Sequence, residues 1–300
     1  MGFRTVVIER PCRLSYKDGF LLARGDEVTT IHLSEISTLI VDSTMATVTG
    51  YLMCELMKEK INVVFCDEAR TPIGITQPCY GSHDSSGRVI EQSRWPDDRK
   101  SILWQSIISQ KIRHQSSLLG LVDGQAAEMV SSFADQVVPG DLTNREGHAA
   151  KVYFNRIYGS DFNRSLKSDR NAALNYGYAL LLSVFSKEIT ARGYTTQLGI
   201  HHCNSFNPFN LASDLMEPWR MLVDRIVWAQ GDIPFNKEYK LQLLSLLSEN
   251  ISYQGQHMIT TTAIPRYVLN ATEYLCARQD WDESMVIHLE GATNESYCHV

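Results

Sequence analysis

Two histidines, two carboxylates and an arginine fall between Leu198 and Arg220, in the string LGIHHCNSFNPFNLASDLMEPWR. A third carboxylate, Glu146, stands near the start of the segment REGHAAKVYF, 56 residues before His202, and Glu217 follows His202 by 15. An imidazole nitrogen with two or three carboxylate oxygens is a donor set that Mg2+ or Mn2+ accepts while keeping positions for water and phosphate oxygens. Such a set suits phosphodiester chemistry.

Each residue also has a plainer reading. Glu146 follows Gly140-Asp141-Leu142-Thr143-Asn144, where an acid in a first helical turn is favoured by the helix dipole. Gly147, Ala149 and Ala150 keep the surface beside it thin, for a ligand or for a close helix crossing. His201 and His202 are adjacent, so they point in different directions and only one serves a given ion. Asp214 and Glu217 share a helical face if the helix runs through them, whereas a local break at Pro218 would instead turn Glu217 toward the site. Asp214 is a supporting acid, a cap or a partner of Arg220. Arg220, one turn from Glu217, steadies that carboxylate or binds a phosphate. A zinc site at His201-His202-Cys203 is disfavoured, because contiguous ligands rarely close around one tetrahedral ion and no CxxC pair completes it.

The elements that must position these groups change character near residues 76–95. Before that point, segments at 3–9, 12–16, 19–24, 28–33, 36–42 and 62–66 read as short strands, interrupted by one helix at about 47–60. The stretch 76–94, with Pro78, Gly81, Ser82, Ser85, Ser86 and Gly87, reads as a linker. Pro96 with Asp97 and Asp98 starts a helix that carries Ile102, Leu103, Ile107, Ile108 and Ile112 at helical spacing. Further helices are expected at 124–137, 146–157, 170–192, 209–231, 236–249 and 264–278. The expected fold is α+β: a small β domain (1–82), a larger irregular all-α domain carrying the metal site (83–278), and an acidic C-terminal tail (279–300).

With 28 basic and 34 acidic residues the chain carries −6, an awkward balance for a DNA binder. Distribution softens it: the tail holds five acids and no Lys or Arg, which leaves −1 for residues 1–278. Two windows, 86–113 and 151–170, are each +3. From them Arg99, Lys100, Lys111, Arg113, Lys151, Arg164, Lys167 and Arg170 are candidate phosphate contacts, the plainer reading being solvated helix faces. Seven cysteines without a CxxC pair, and no apolar run long enough to span a bilayer, indicate a reduced cytoplasmic protein with no membrane partner.

Glu146-Gly147, the Gly199-Ile200-His201-His202 turn and Asp214-Leu215-Met216-Glu217-Pro218-Trp219-Arg220 occur in an order that resembles the CRISPR-associated adaptation integrase, with Asn171 to Tyr178 and Pro265-Arg266-Tyr267 in support. Glutamate at position 217 followed by Pro218 resembles the type II branch. The resemblance implies that Glu146, His202 and Glu217 hold a Mg2+ or Mn2+ ion and are the catalytic set, with Asp214 and Arg220 supporting. It implies that 3′-hydroxyl ends of captured spacer DNA are joined to a CRISPR repeat by transesterification, or that DNA is cut when water attacks. It further implies a homodimer that forms a heterohexamer with a small CRISPR-associated partner, type II accessory and effector proteins nearby, and a β domain used for dimerisation and DNA bracing. The alternatives are a mobile-element integrase of the same chemistry and a non-catalytic DNA-binding scaffold.

Overall fold

The structure, a computed structural model, describes residues 2, 4–77 and 82–289. It divides into two compact units, one of residues up to 86 with 186–194, the other of 87–185 with 195 onward.

In the first unit alternating apolar residues form two four-stranded sheets. One has the order β1 (Arg4–Ile8), β5 (Ile36–Val41), β7 (Asn62–Cys66), β8 (Pro72–Ile75); its first three strands are parallel and β8 is antiparallel to β7. The other has the order β4 (Val28–His32), β3 (Phe20–Arg24), β2 (Arg13–Lys17), β6 (Thr47–Val48). Asp18 and Gly19, both at positive φ, make the two-residue hairpin between β2 and β3. Leu14, Leu21, Leu39 and Val63 close a core with Leu52 and Leu56 of helix α1 (Gly50–Lys58). Each such side chain contributes about 1.5–3 kcal/mol by leaving water.

The second unit is built around α3 (Asp97–Leu119), whose first turn carries Asp97 and Asp98 and whose buried stripe includes Leu103, Trp104, Ile107, Ile108 and Ile112. Against α3 pack α4 (Gly124–Ala134), α5 (Arg145–Tyr158), α7 (Asn210–Leu215), α8 (Arg220–Gln230) and α10 (Thr260–Leu275). Helix α6 (Asp169–Ala191) and the shorter α9 (Lys237–Ser245) complete the long elements. Trp95, Trp104, Tyr153 and Tyr176 are buried, as core aromatics.

Four expectations need correction. The stretch 76–94 is not all linker: Ser85–Gln92 forms helix α2, and Gln92 is buried, its amide bonded to the backbone at Thr195 and Leu198. The second unit is not all-α. Strands β9 (Asn250–Tyr253), β10 (Gln256–Ile259) and β11 (Ile287–Leu289) form a sheet of order β10-β9-β11, because Gln254 and Gly255 at positive φ make a hairpin turn and Ile251 and Tyr253 alternate inward. The last turns of α6, expected within the helical domain, group with the β unit. Residues 279–289 of the expected tail are ordered through β11, and the rest of that expected tail, 290–300, lies outside the described residues.

Candidate metal centre

Glu146 is fixed by a doubly capped helix start. The Asn144 side chain accepts from the Gly147 N–H, and the two oxygens of buried Asp141 accept from the N–H groups of Arg145 (2.8 Å) and Glu146 (3.0 Å). Both capping residues lie at positive φ, tolerated by Asn and Asp. Glu146 therefore leaves the first turn of α5 from a defined backbone.

Glu217 sits at a break. Helix α7 ends at Leu215, Glu217–Trp219 form a single 3-10 turn, and α8 starts at Arg220. Pro218 supplies the break, since it has no N–H to donate. Trp219, fully buried, packs edge-on against Phe185 and Tyr267 and pins the turn. His114 of α3 places its Nδ1 2.9 Å from the Pro218 carbonyl and its Nε2 3.1 Å from that of Ile287, tying the break to β11; burial pushes its pKa down.

The loop before α7 wraps around Asp214. This wholly buried carboxylate accepts from the N–H groups of Ile200 (2.6 Å), His201 (2.9 Å) and His202 (3.2 Å), and it bonds to His202 Nδ1. Gly199 permits the wrap, because a Cβ there would stand 2.3 Å from the His202 carbonyl oxygen and 2.8 Å from Asp214 Oδ2. With Nδ1 engaged, Nε2 of His202 is the nitrogen available to a metal, in the arrangement by which a carboxylate orients a metal-binding imidazole. The bond to Asp214 raises the His202 pKa above 6.5, partly opposed by burial and reinforced by the charges of Asp214, Glu217 and Glu146. His201 instead stacks flat on Trp104, with centroids 4.3 Å apart.

The two glutamates meet at one cation. Lys111 Nζ, reaching from α3, lies 2.5 Å from Glu146 Oε1 and 2.7 Å from Glu217 Oε2, while Arg220 pairs with Glu217 Oε1 at 2.9 Å. Burial works against charge on Glu217, but Arg220 and then Lys111 outweigh it and hold the carboxyl below its ordinary 4.5. Burial likewise works against charge on Lys111, and the fields of Glu217 and Glu146 reverse it, so its pKa is raised. Arg220 lies over the Tyr178 ring at 4.8 Å, and the hydroxyls of Tyr178 and Tyr153 both donate to buried Asp224.

The arrangement can be tested for a divalent ion. Among the described residues no three His, Cys, Asp or Glu side chains stand as one metal-holding group: Glu146 and Glu217 share Lys111, and His202 turns to Asp214. The donors nevertheless fit. Glu146 and Glu217 already share one cation at 2.5 and 2.7 Å, and a carboxylate-imidazole set suits Mg2+ or Mn2+.

The other basic candidates have varied settings. Arg99 donates to the carbonyls of Tyr274 (2.8 Å) and Gln279 (3.2 Å) and lies over the Tyr274 ring. Arg164 donates to Asn171 and Asn175, and Arg170 pairs with Asp232. Lys100 pairs with Asp97 and lines the open cleft of about 840 Å3 that contains His202, while Arg113 pairs with exposed Asp135. Lys151 and Lys167 are exposed, and Lys151 lines a second cleft beside Asp123 and Arg156. Lys111 is the one whose place differs most from a phosphate-binding surface. Sequence reasoning missed its link to the glutamates, and it missed Asp224 and His114; a buried-acid signal at Asp224, inside the apolar run of α8, was there to be read.

Known proteins resemble the chain in sequence and in fold. The family model described as "CRISPR associated protein Cas1" matches residues 5–231. The "CRISPR-associated endonuclease Cas1" of Neisseria meningitidis serogroup C (strain 8013) is 32% identical over 276 residues, covering 89% of this chain and 90% of that protein. A second relative, "CRISPR-associated endonuclease Cas1 2" of Pyrobaculum aerophilum, is 23% identical over 74% of this chain and 80% of its own length. Among solved structures, a casposase bound to integration product superposes with a TM-score of 0.77 at 18% identity, covering 99% of this chain and 97% of that one. A Cas6-RT-Cas1–Cas2 complex gives 0.72 at 18% identity, over 97% of this chain and 36% of the other. No described helix is long and apolar enough to cross a membrane. Because the family model spans most of the chain, and the Neisseria relative is 32% identical over about nine-tenths of both proteins, the chain belongs to the CRISPR-associated Cas1 family.

Proposed function

We propose that the chain is a metal-dependent DNA strand transferase and endonuclease of CRISPR adaptation, which joins 3′-hydroxyl ends of captured DNA to a CRISPR repeat by transesterification. The observation that carries this reading is the meeting of Glu146 and Glu217 at one cation, with the His202 ring oriented by Asp214 on the loop before α7. Glu146, Glu217 and His202 Nε2 would hold a Mg2+ or Mn2+ ion, which when bound stabilises the charge of the pentacoordinate phosphate and lowers the pKa of the attacking hydroxyl. Asp214 keeps the His202 ring aimed and its loop closed. Arg220, backed by Tyr178, fixes the Glu217 carboxylate.

Strand transfer is favoured over simple hydrolysis by the likeness to a casposase captured on an integration product. That likeness also favours a second reading, the same joining chemistry on a target other than a CRISPR repeat. The Cas1–Cas2 complexes among the structural neighbours support a small Cas2-type partner. A homodimer assembled with that partner into a heterohexamer would place one centre at each end of the inserted DNA, because a 34.0 kDa chain with one centre makes one joint at a time. The β unit, which holds none of the candidate ligands, would dimerise and brace DNA. Type II accessory and effector proteins are further candidate partners, and the cytoplasm is the proposed compartment.

The test is an integration assay with fluorescent short duplex DNA and a plasmid bearing a CRISPR repeat, run with Mg2+, with Mn2+ and with EDTA. Product that depends on metal and vanishes in Glu217→Gln supports the reading. Joining unchanged in Glu146→Ala, His202→Ala and Glu217→Ala would leave the scaffold alternative standing.

A further inference from the structure

The ammonium of Lys111 stands between the two carboxylates that the proposed function assigns to a metal. Its side chain is largely buried, 13% exposed, and its polar partners at this end are Glu146 and Glu217. Arg220, the other cation here, is fixed differently: it lies over Tyr178, whose hydroxyl is bonded to Asp224. Of the two charges that balance the glutamates, one is a planar guanidinium laid over an aromatic ring and the other hangs on a flexible four-carbon stem.

This balance has a consequence for a divalent ion. Glu146 and Glu217 supply two negative charges, and Lys111 with Arg220 supplies two positive ones. An ion sharing the same oxygens would lie close to the Lys111 ammonium in a place largely shielded from water, where like charges repel strongly. The ion and the ammonium are therefore competitors. A DNA phosphate arriving at the centre changes the competition, because it offers Lys111 a new anion and brings negative charge for the ion as well.

We propose that Lys111 is a tethered cation that holds the Glu146–Glu217 pair against divalent metal until a DNA phosphate draws it away, so that metal loading is conditional on substrate. This rests on the reading of Glu146 and Glu217 as metal ligands.

The test measures Mn2+ binding directly, by the electron paramagnetic resonance signal of the free ion, on the full-length protein with and without a short DNA duplex. Glu217→Gln with DNA serves as the blank for ions held by DNA itself. For the unaltered protein, DNA should tighten Mn2+ binding by about tenfold or more, within the usual range of coupling between sites. Lys111→Gln, which keeps a hydrogen-bond donor but no charge, should bind Mn2+ about tenfold more tightly without DNA, and the further gain from DNA should shrink to about threefold or less. Lys111→Met should behave alike. Lys111→Gln binding Mn2+ no more tightly than the unaltered protein would overturn the proposal. So would equal affinity of the unaltered protein with and without DNA, a measurement that needs no variant to fold. Mn2+ binding in neither protein under any condition, with Glu217→Gln indistinguishable from both, would instead remove the metal reading beneath it.

Discussion

His202 Nδ1 is hydrogen-bonded to Asp214, and the same carboxylate closes the loop beneath the ring by accepting the N–H groups of Ile200, His201 and His202. One buried acid thus sets both the backbone and the rotation of the imidazole. Asp214→Asn keeps the shape but can no longer accept at both oxygens, and strand transfer should fall by about 10- to 100-fold, the usual cost of removing an outer partner of a metal-binding histidine. The pH behaviour separates this from general damage. Asp214 raises the His202 pKa, so the stability the pair contributes is complete below 6.5 and fades as pH climbs through the higher folded value. A proton NMR titration of the metal-free protein should place the His202 midpoint above 6.5, and Asp214→Asn should move it down.

Gly199→Ala should act on the same loop from the other side. The new methyl would stand 2.3 Å from a backbone oxygen, and backbone cannot rotate aside as a side chain does. We expect a loss of about 1–3 kcal/mol in stability, as for other overpacked sites, with activity reduced further than the melting temperature suggests. Urea unfolding and the integration assay on one preparation give both numbers.

Much of this centre was legible because its signals are local. Glu146 in a capped first turn depends on near neighbours and stands where the sequence puts it, whereas the single helix expected at 209–231 is divided at Pro218 into α7, a 3-10 turn and α8. The hairpin of β9 and β10 was also locally written, in the alternation of Ile251, Tyr253, Met258 and the pair Gln254-Gly255, but it follows a leucine-rich helix and is short. Lys111 could not be read. Its position on α3 fits any solvated helix face, and the acids it meets are 35 and 106 residues away in sequence. His114 posed the same problem: the two carbonyls it joins belong to a helix break and to a strand beyond residue 279, where an acidic tail was expected.

Glu217 and Glu146 should differ in stability while agreeing in activity. Glu217 is 5% exposed and faces two cations, so Glu217→Ala leaves Lys111 and Arg220 close together with one anion removed, at a cost of about 3–5 kcal/mol by analogy with other broken buried pairs. Glu146 is 26% exposed and touches Lys111 alone of the two, so Glu146→Ala should cost distinctly less. The Glu217 contribution is present above pH 4.5 and is lost as pH falls through its lower folded pKa. Chemical denaturation at pH 7 and at pH 3 should show the gap between the variants closing in acid.

The basic residues should separate by what already holds them. Lys151 and Lys167 are exposed, so replacing either with alanine should leave the melting temperature unchanged. If each meets a phosphate, each loss lowers the slope of log affinity against log salt by about one. Arg99 should behave in the opposite way, because its guanidinium already joins the carbonyls of Tyr274 and Gln279 across the end of α10. Arg99→Ala leaves two carbonyls without that donor and should lower stability by about 1–3 kcal/mol with the salt slope unchanged. Fluorescence anisotropy on a short labelled duplex between 50 and 200 mM salt, roughly the range over which phosphate contacts dominate, tells the two groups apart, and a salt slope that falls for Arg99→Ala but not for the lysines would reverse the assignment.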